Sequence, residues 1–366
     1  MSLLSMFGLN KIPEDARGAT LLIGDADALA WAEPLRARLD ERVGRTRLAC
    51  LDSRARDQAT TTQPPTTWML PHSIGALTRT LRRAAPARLV LLGDIEAAAA
   101  LAKAVTCPIF WVNTPASAIG GVTGEDIVRM VADPELCGAA GSVHLTGDPL
   151  LGIDALPTPA TDHAICERFR DHRQGGRWIG YFAATGAGEE RLAYGTFFKL
   201  TRRKMGLLVL APFDPARYEP VYREAIKYHL PTNRHNRLST SYVPIKSRVY
   251  YVEDPNTLEA MYRCADFVVA GATLSAEAAH APDLLSPILA GAPVIIGPER
   301  RDPVVAAAAR ANAVVPADDE DELVEAAYRL VADEALRTEL TARARAWAEA
   351  QVGALSRVVA LIAEAP

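Results

Sequence analysis

The chain has 366 residues, too many for one ordinary hydrophobic core and enough for two domains of about 150 to 200 residues each. Hydrophobic residues make up 49% and charged residues 23%, which excludes extensive disorder and a fibrous repeat. The net charge of −4 gives no overall attraction for a polyanion, so the reading is of a protein with no nucleic-acid partner.

The chain opens on the short apolar segment Ser2-Leu-Leu-Ser-Met-Phe-Gly-Leu-Asn-Lys11. It reads either as a tail or helix packed on the body, or as a foot on a membrane surface. It lacks the basic start and long apolar run of a signal peptide, and no later stretch reaches the roughly 18 to 20 apolar residues of a membrane span. Short β-rich runs then alternate with helical patterns. Strands are expected at Ala19 to Gly24, Thr46 to Leu51, Thr67 to Leu70, Arg88 to Leu92, Pro108 to Val112 and Ser142 to Leu145. Helices are expected at Ala28 to Glu41 and Ile74 to Ala84. In the second of these Ile74, Leu77 and Leu81 share one face while Arg79, Arg82 and Arg83 lie towards the other.

The stretch 148–161 carries Pro149, Pro157 and Pro159, has no helical period, and reads as a stiff linker. Beyond it the alternation restarts. Strands are expected at Trp178 to Ala183, Gly206 to Leu210, Arg248 to Val252, Asp266 to Ala270 and Pro293 to Ile296. Helices are expected at Gly188 to Arg203, Pro215 to His229, Thr257 to Cys264 and Asp302 to Ala311. From Asp318 onward the pattern is helical only. The spacing therefore predicts an α/β protein with an N-terminal domain over 1–160, a C-terminal domain over 161–350, and a terminal helix over 351–366 that packs on the first domain or stands free. Two Rossmann-like, doubly wound domains are expected to face each other across a cleft, with the ligand where strand C-termini meet.

Cys50, Cys107, Cys137, Cys166 and Cys264 are odd in number, widely spaced and never in a CxxC pair. That usage predicts free thiols in a reducing, cytoplasmic setting, with neither a disulfide framework nor a zinc site.

Two turns carry the sharpest local signals. In Ala183-Ala-Thr-Gly-Ala-Gly-Glu-Glu190 a strand runs into a glycine turn and a helix, whose free amides suit a phosphate or carboxylate. Glycine there is also sterically useful, and Glu189 and Glu190 also suit the positive end of the helix dipole. In Ala265-Asp-Phe-Val-Val-Ala-Gly-Ala-Thr-Leu-Ser275 a second strand ends in glycine and hydroxyls, followed by Leu285-Ser-Pro-Ile-Leu-Ala-Gly-Ala-Pro-Val-Ile-Ile-Gly-Pro298. Ser286 and Pro287 there also read as a plain helix start.

This order of motifs resembles the 3-deoxy-D-manno-octulosonic acid (Kdo) transferases, over roughly residues 19 to 350. Ala184-Thr-Gly-Ala-Gly-Glu-Glu190 is similar to the family's Ser-Thr-His-x-Gly-Glu-Glu, and the run from Leu207 to Tyr218 to its strand leading into Pro-Arg-His-Pro-Glu-Arg-Phe. The run Asp254 to Asp266 resembles the segment ending in Tyr-x-x-Ala-Asp, and Gly271 to Ser275 stands at the family's Gly-Gly-Ser-Leu. In the first half Asp94-Ile-Glu96 resembles Glu-Thr-Glu, Val112-Asn113 resembles Val-Asn-x-Arg, and Gly147-Asp-Pro-Leu-Leu resembles Gly-Asn-x-Lys. Departures are equally plain. Gly186 stands at the family's histidine, Phe213-Asp214 at its Arg-His, and the arginine after Val-Asn is absent. The family's Gly-Glu base motif is not intact, leaving Asp25 or Asp27 to substitute. Its Gly-Gly-His-Asn-Pro-Leu-Glu-Pro is reduced to His280-Ala-Pro-Asp-Leu-Leu-Ser-Pro287.

The resemblance implies a GT-B fold and inverting transfer of a sugar from a nucleotide donor, CMP-Kdo or a related one, to a lipid or glycan acceptor in lipopolysaccharide biosynthesis. Such transfer needs a carboxylate base and groups that neutralise the leaving phosphate. The candidate catalytic residues are Asp25, Asp27, Asp94 and Glu96, all of which also suit helix capping. The candidate donor-binding residues are Thr185, Gly186, Gly188, Glu189, Arg217, Gly271, Thr273, Ser275, His280 and Ser286. Asp25-Ala-Asp27 spells a metal motif but lies in the wrong domain for a donor phosphate, so no metal and no cofactor are expected. The cluster Lys199, Arg202, Arg203 and Lys204, next to Phe197, Phe198 and Met205, reads as a helix C-terminus or as a peripheral contact with the inner membrane face. The erosion leaves two alternatives: a GT-B scaffold that has lost catalysis and binds a ligand or partner, and a sugar-nucleotide epimerase.

Overall fold

The computed structural model describes residues 12–51, 67–71, 73–103, 105–119, 127–136, 143–159, 164–238, 240–254 and 259–364. The apolar segment 2–11 lies outside them. The chain forms two units, one built from residues up to Ala155 together with those from Glu349 onward, the other from Leu156–Ala348.

Among the described residues the first unit holds β1 (Thr20–Gly24), β2 (Thr46–Cys50), β3 (Trp68–Met69), β4 (Arg88–Leu92), β5 (Ile109–Val112), β6 (Ile127–Val131) and β7 (Val143–Leu145). They form one parallel sheet in the order β3-β2-β1-β4-β5-β6-β7. The period-two alternation of apolar side chains feeds both faces. Leu21, Ile23, Leu89, Leu91, Ile109 and Trp111 enter one core, and Leu22, Val90, Leu92, Phe110 and Val112 the other. The last helix, Ala354–Glu364, supplies Val358, Val359 and Ile362 to the second of these cores. The proline-rich stretch is packed at its start: the Asp148 amide donates to Gln351 Oε1 at 2.8 Å and Asp148 itself is buried.

Helix Ile74–Ala84 forms where the pattern places it. Ser73 caps it through the Ala76 amide, and Leu77 and Leu81 are buried. The single helix expected over 28–41 is two, Ala26–Ala30 and Glu33–Val43. Pro34 explains the break, since a continuous helix would lose its bond to the carbonyl four residues back and crowd it, whereas proline is at home in a helix's first turn.

The second unit holds β8 (Trp178–Thr185), β9 (Gly206–Pro212), β10 (Thr232–Arg234), β11 (Val249–Tyr251), β12 (Phe267–Ala270), β13 (Val294–Ile296) and β14 (Val315–Pro316). Its parallel order is β10-β11-β9-β8-β12-β13-β14. Alternate residues again serve two cores, with Trp178, Phe182, Leu208, Leu210, Phe267 and Val269 on one side and Ile179, Tyr181, Leu207, Val209 and Val268 on the other. Helices Glu189–Thr201, Tyr218–Lys227, Pro303–Arg310 and Glu320–Ala332 accompany the sheet. The first and last pack on the face that carries Trp178, where their buried side chains Tyr194, Phe197, Leu323 and Leu330 join its core.

One expectation is overturned. Cys166 and Cys264 are joined in a disulfide, with Cα atoms 5.1 Å apart across 98 residues of sequence. Wide spacing hid the pair, because the segment before β8 and the one before β12 come together only in the fold. Neither Cys50 nor Cys107 takes part in a disulfide. The doubly wound α/β class itself is what the structure shows, and two such units in tandem are the domain makeup of the GT-B fold.

Candidate functional site

In an open doubly wound sheet the ligand crevice lies beyond the strand C-termini where the strand order reverses. In the second unit the chain winds outward from β8 on one side and β12 on the other, which are paired from Phe267↔Gly180 to Ala270↔Ala183. The turns singled out in the sequence leave these two strands and so lie side by side.

Gly271 makes that closeness feasible. A Cβ there would sit 2.0 Å from the Ala184 carbonyl oxygen and 2.5 Å from that of Ala183, so only glycine fits. Glu189 then ties the turns together. Its fully buried carboxylate accepts the amides of Gly186 at 2.6 Å, Ala272 at 3.0 Å and Leu274 at 2.8 Å. Three charge-assisted hydrogen bonds and the positive end of helix Glu189–Thr201 offset the desolvation of the charge. Three of the amides expected to hold a phosphate near 185 and 273 are therefore held by the chain's own carboxylate. Thr273, also fully buried, donates to the Ala270 carbonyl at 2.5 Å and accepts from the Gly297 amide at 3.0 Å. Thr185 is buried and donates to Glu190 Oε1 at 2.9 Å. Thr185, Glu189 and Thr273 form the wall of the crevice and have no surface to offer a ligand.

Glu190 carries a second tie that the candidate residues omitted, although the Gly-Glu-Glu spelling contains it. It pairs with Arg217 Nη2 at 2.7 Å, and Arg217 Nη1 donates to the Thr185 carbonyl at 3.3 Å. Arg217 remains about a quarter exposed, so its charge is shared between the wall and solvent.

The accessible groups are fewer. Gly188, the N-cap of helix Glu189–Thr201, has φ +82°, and a side chain there would come within 3.2 Å of Ser275 Oγ. Ser275 Oγ accepts the Glu277 amide at 3.2 Å and is half-buried. His280 Nε2 lies 2.8 Å from the Ala184 carbonyl; a carbonyl can only accept, so this nitrogen carries the proton. Ala184 presents that oxygen because it is the irregular residue between Ala183 and Thr185 in the β8–β9 pairing, at φ +54°. The His280 ring stacks on Phe213, with centroids 4.0 Å apart and planes 4° apart. Ser286 lies in the short helix Leu285–Leu289, and its amide is taken by Asp283 Oδ1 at 3.1 Å.

In the first unit the order reverses between β1 and β4. Asp25 and Asp27 follow β1, and Asp94 and Glu96 follow β4, so all four carboxylates lie at that unit's own switch point and are exposed. Asp25 also caps helix Ala26–Ala30 through the Ala28 amide at 2.7 Å. Among the described residues no group of three metal-ligating side chains converges.

The basic cluster at the end of helix Glu189–Thr201 is largely engaged. Lys199 bonds Asp321 at 2.6 Å and Glu320 at 3.0 Å, Arg203 bonds Glu325 at 2.6 Å, and Lys204 reaches the Val331 carbonyl at 3.4 Å. Arg203 also lies 3.3 Å above the centre of the Tyr328 ring.

No protein-family model matches the chain, and no curated protein matches it. Among solved structures the chain is similar to the C-terminal CMP-Kdo binding domain of WaaA from Acinetobacter baumannii, at 20% identity and TM-score 0.45, covering 50% of this chain and 95% of that one. It is also similar to a mutant O-GlcNAc transferase from Thermobaculum terrenum, at 13% identity and TM-score 0.40, covering 96% of this chain and 67% of that one. A third likeness is to UDP-GlcNAc 2-epimerase from Neisseria meningitidis bound to UDP-GlcNAc, at 12% identity and TM-score 0.40, covering 94% and 99%.

Proposed function

We propose that this protein is a nucleotide-sugar-dependent glycosyltransferase of the Kdo-transferase kind, with the donor held in the second unit and the proton taken up in the first. One observation carries this reading. Each unit has a topological switch point, and the groups that follow the strands there differ in chemistry as inverting transfer requires. The first presents the exposed carboxylates Asp25, Asp27, Asp94 and Glu96. The second presents Ser275, part of Arg217, and the Phe213–His280 ring pair above a wall fixed by Glu189. A carboxylate takes the acceptor hydroxyl's proton as the glycosidic bond forms, and cationic and hydroxyl groups steady the nucleotide that leaves.

Thermal unfolding with CMP, CDP, UDP and GDP tests the donor side. A nucleotide at 100 times its dissociation constant stabilises the native chain by about 2.7 kcal/mol. Asp25→Asn and Asp27→Asn are expected to abolish transfer without changing that shift, since asparagine still caps a helix. No shift with any nucleotide would refute the reading.

The Glu189 carboxylate favours a second reading, a scaffold that binds but does not turn over, because three of the amides that would stabilise a leaving phosphate are already satisfied. That reading expects a nucleotide shift with no release of nucleotide from CMP-Kdo in the presence of lipid acceptor.

A further inference from the structure

Neither ring of the stacked pair Phe213 and His280 is buried. Phe213 is 52% exposed, although it immediately follows β9 beside the second unit's switch point. One face of its ring is covered by His280, whose orientation is fixed by the bond from Nε2 to the Ala184 carbonyl. Phe213 is held too, because its amide donates to the Thr185 carbonyl at 3.0 Å. The His280 ring is oriented by its bond to the backbone and the Phe213 ring by the stack on it, so stacking a planar group on the pair costs little conformational freedom. The surroundings do not suit a phosphate at this point. Asp214 follows directly, Glu277 is in the same turn as His280, and Arg217, four residues on, is paired with Glu190. An uncharged aromatic ring fits the same surroundings without electrostatic cost.

From this the geometry points to Phe213, backed by His280, as the platform on which the base of a nucleotide ligand stacks. This rests on the nucleotide-sugar reading above and deepens it, since it assigns the base to the end of β9 and gives the residue at a position the sequence comparison reads as a lost cation a positive task. Stacking of a base on an aromatic side chain contributes about 1 to 3 kcal/mol, a factor of roughly 5 to 150 in affinity.

Calorimetric titration of the full chain with CMP, CDP, UDP and GDP, beside ribose 5-phosphate as the probe without a base, tests it. The expected result is that a nucleotide binds, that Phe213→Ala and Phe213→Leu each weaken it by about tenfold or more, and that ribose 5-phosphate binds far more weakly. In Phe213→Trp the new indole emission falls as the nucleotide is added and is unchanged by ribose 5-phosphate. The unliganded variants should still unfold cooperatively, with a melting temperature lowered by no more than the loss of the half-exposed ring's stack on His280. Undiminished nucleotide affinity in Phe213→Ala and Phe213→Leu would overturn the platform and leave the nucleotide-sugar reading standing. Failure of all four nucleotides to bind the native chain would overturn both.

Discussion

At the scale of single residues, the central finding is that a glutamate does what a ligand was expected to do. Glu189 Oε2 serves Gly186 and Ala272, and Oε1 serves Leu274. Glu189→Gln can keep its oxygen towards Gly186 and Ala272 but sets an NH2 group against the Leu274 amide, a loss of about 1 to 3 kcal/mol in urea unfolding. Glu189→Ala strands all three amides and is expected to cost more than the glutamine variant. Equal stability of the native chain and Glu189→Ala would remove the wall from the account. A second residue prediction concerns acid. His172 is fully buried, with Nε2 bonded to the Pro244 carbonyl at 3.0 Å. Burial, aided by Arg177 and Arg248 and opposed by the Pro244 bond, holds its basicity below that of an ordinary imidazole, and burial does the same to His235. Because the unfolded chain takes up protons near pH 6.5 that the folded chain refuses, stability should be level above about pH 7 and fall as the pH drops below that value. His172→Gln should flatten part of that fall in unfolding curves taken between pH 7 and pH 5. The sequence identified the positions 185 to 190 and 271 to 275 as a unit of interest but not who fills the amides. Gly-Glu-Glu after a glycine turn is spelled alike whether the carboxylate points to solvent or folds back into its own nest.

At the scale of elements, the apolar alternation made most strands legible, and helix Pro303–Arg310 followed from Asp302, which caps it through the Val304 amide at 2.8 Å. The strands that escaped have physical reasons. β6 carries Arg129 in its middle, buried at 5% exposure, which breaks the apolar run. β10 is the polar tripeptide Thr232–Arg234 at a sheet edge, and β14 is a two-residue edge strand ending in proline. Edge strands need neither two apolar faces nor every amide. Two predictions belong here. Gly271→Ala pushes a methyl group into backbone oxygens of β8 that cannot move aside without unpairing the strands, so the variant should unfold several degrees lower or fail to accumulate as folded protein. Reducing the Cys166–Cys264 bond, or replacing it by Cys166→Ser, frees a loop closed across 98 residues and should cost up to about 4 kcal/mol, read as a lower melting temperature with dithiothreitol. A native chain indifferent to reductant would show that the bridge does not contribute to stability.

At the scale of the whole molecule, two doubly wound domains were legible from alternation, because parallel strands buried on both faces read as short apolar runs between helices; the reversals of strand order beside β1 and beside β8 come from the structure. What the alternation could not give is which groups stand at each of two switch points of like topology. The proposed nucleotide site is the switch point of the second unit, and amide hydrogen exchange of the native chain with and without saturating CMP or UDP is its sharpest test. Slower exchange is expected in the segments 186–188, 213–217 and 275–280 on addition of the nucleotide that binds. Protection confined to other segments, or none with any nucleotide, would contradict it.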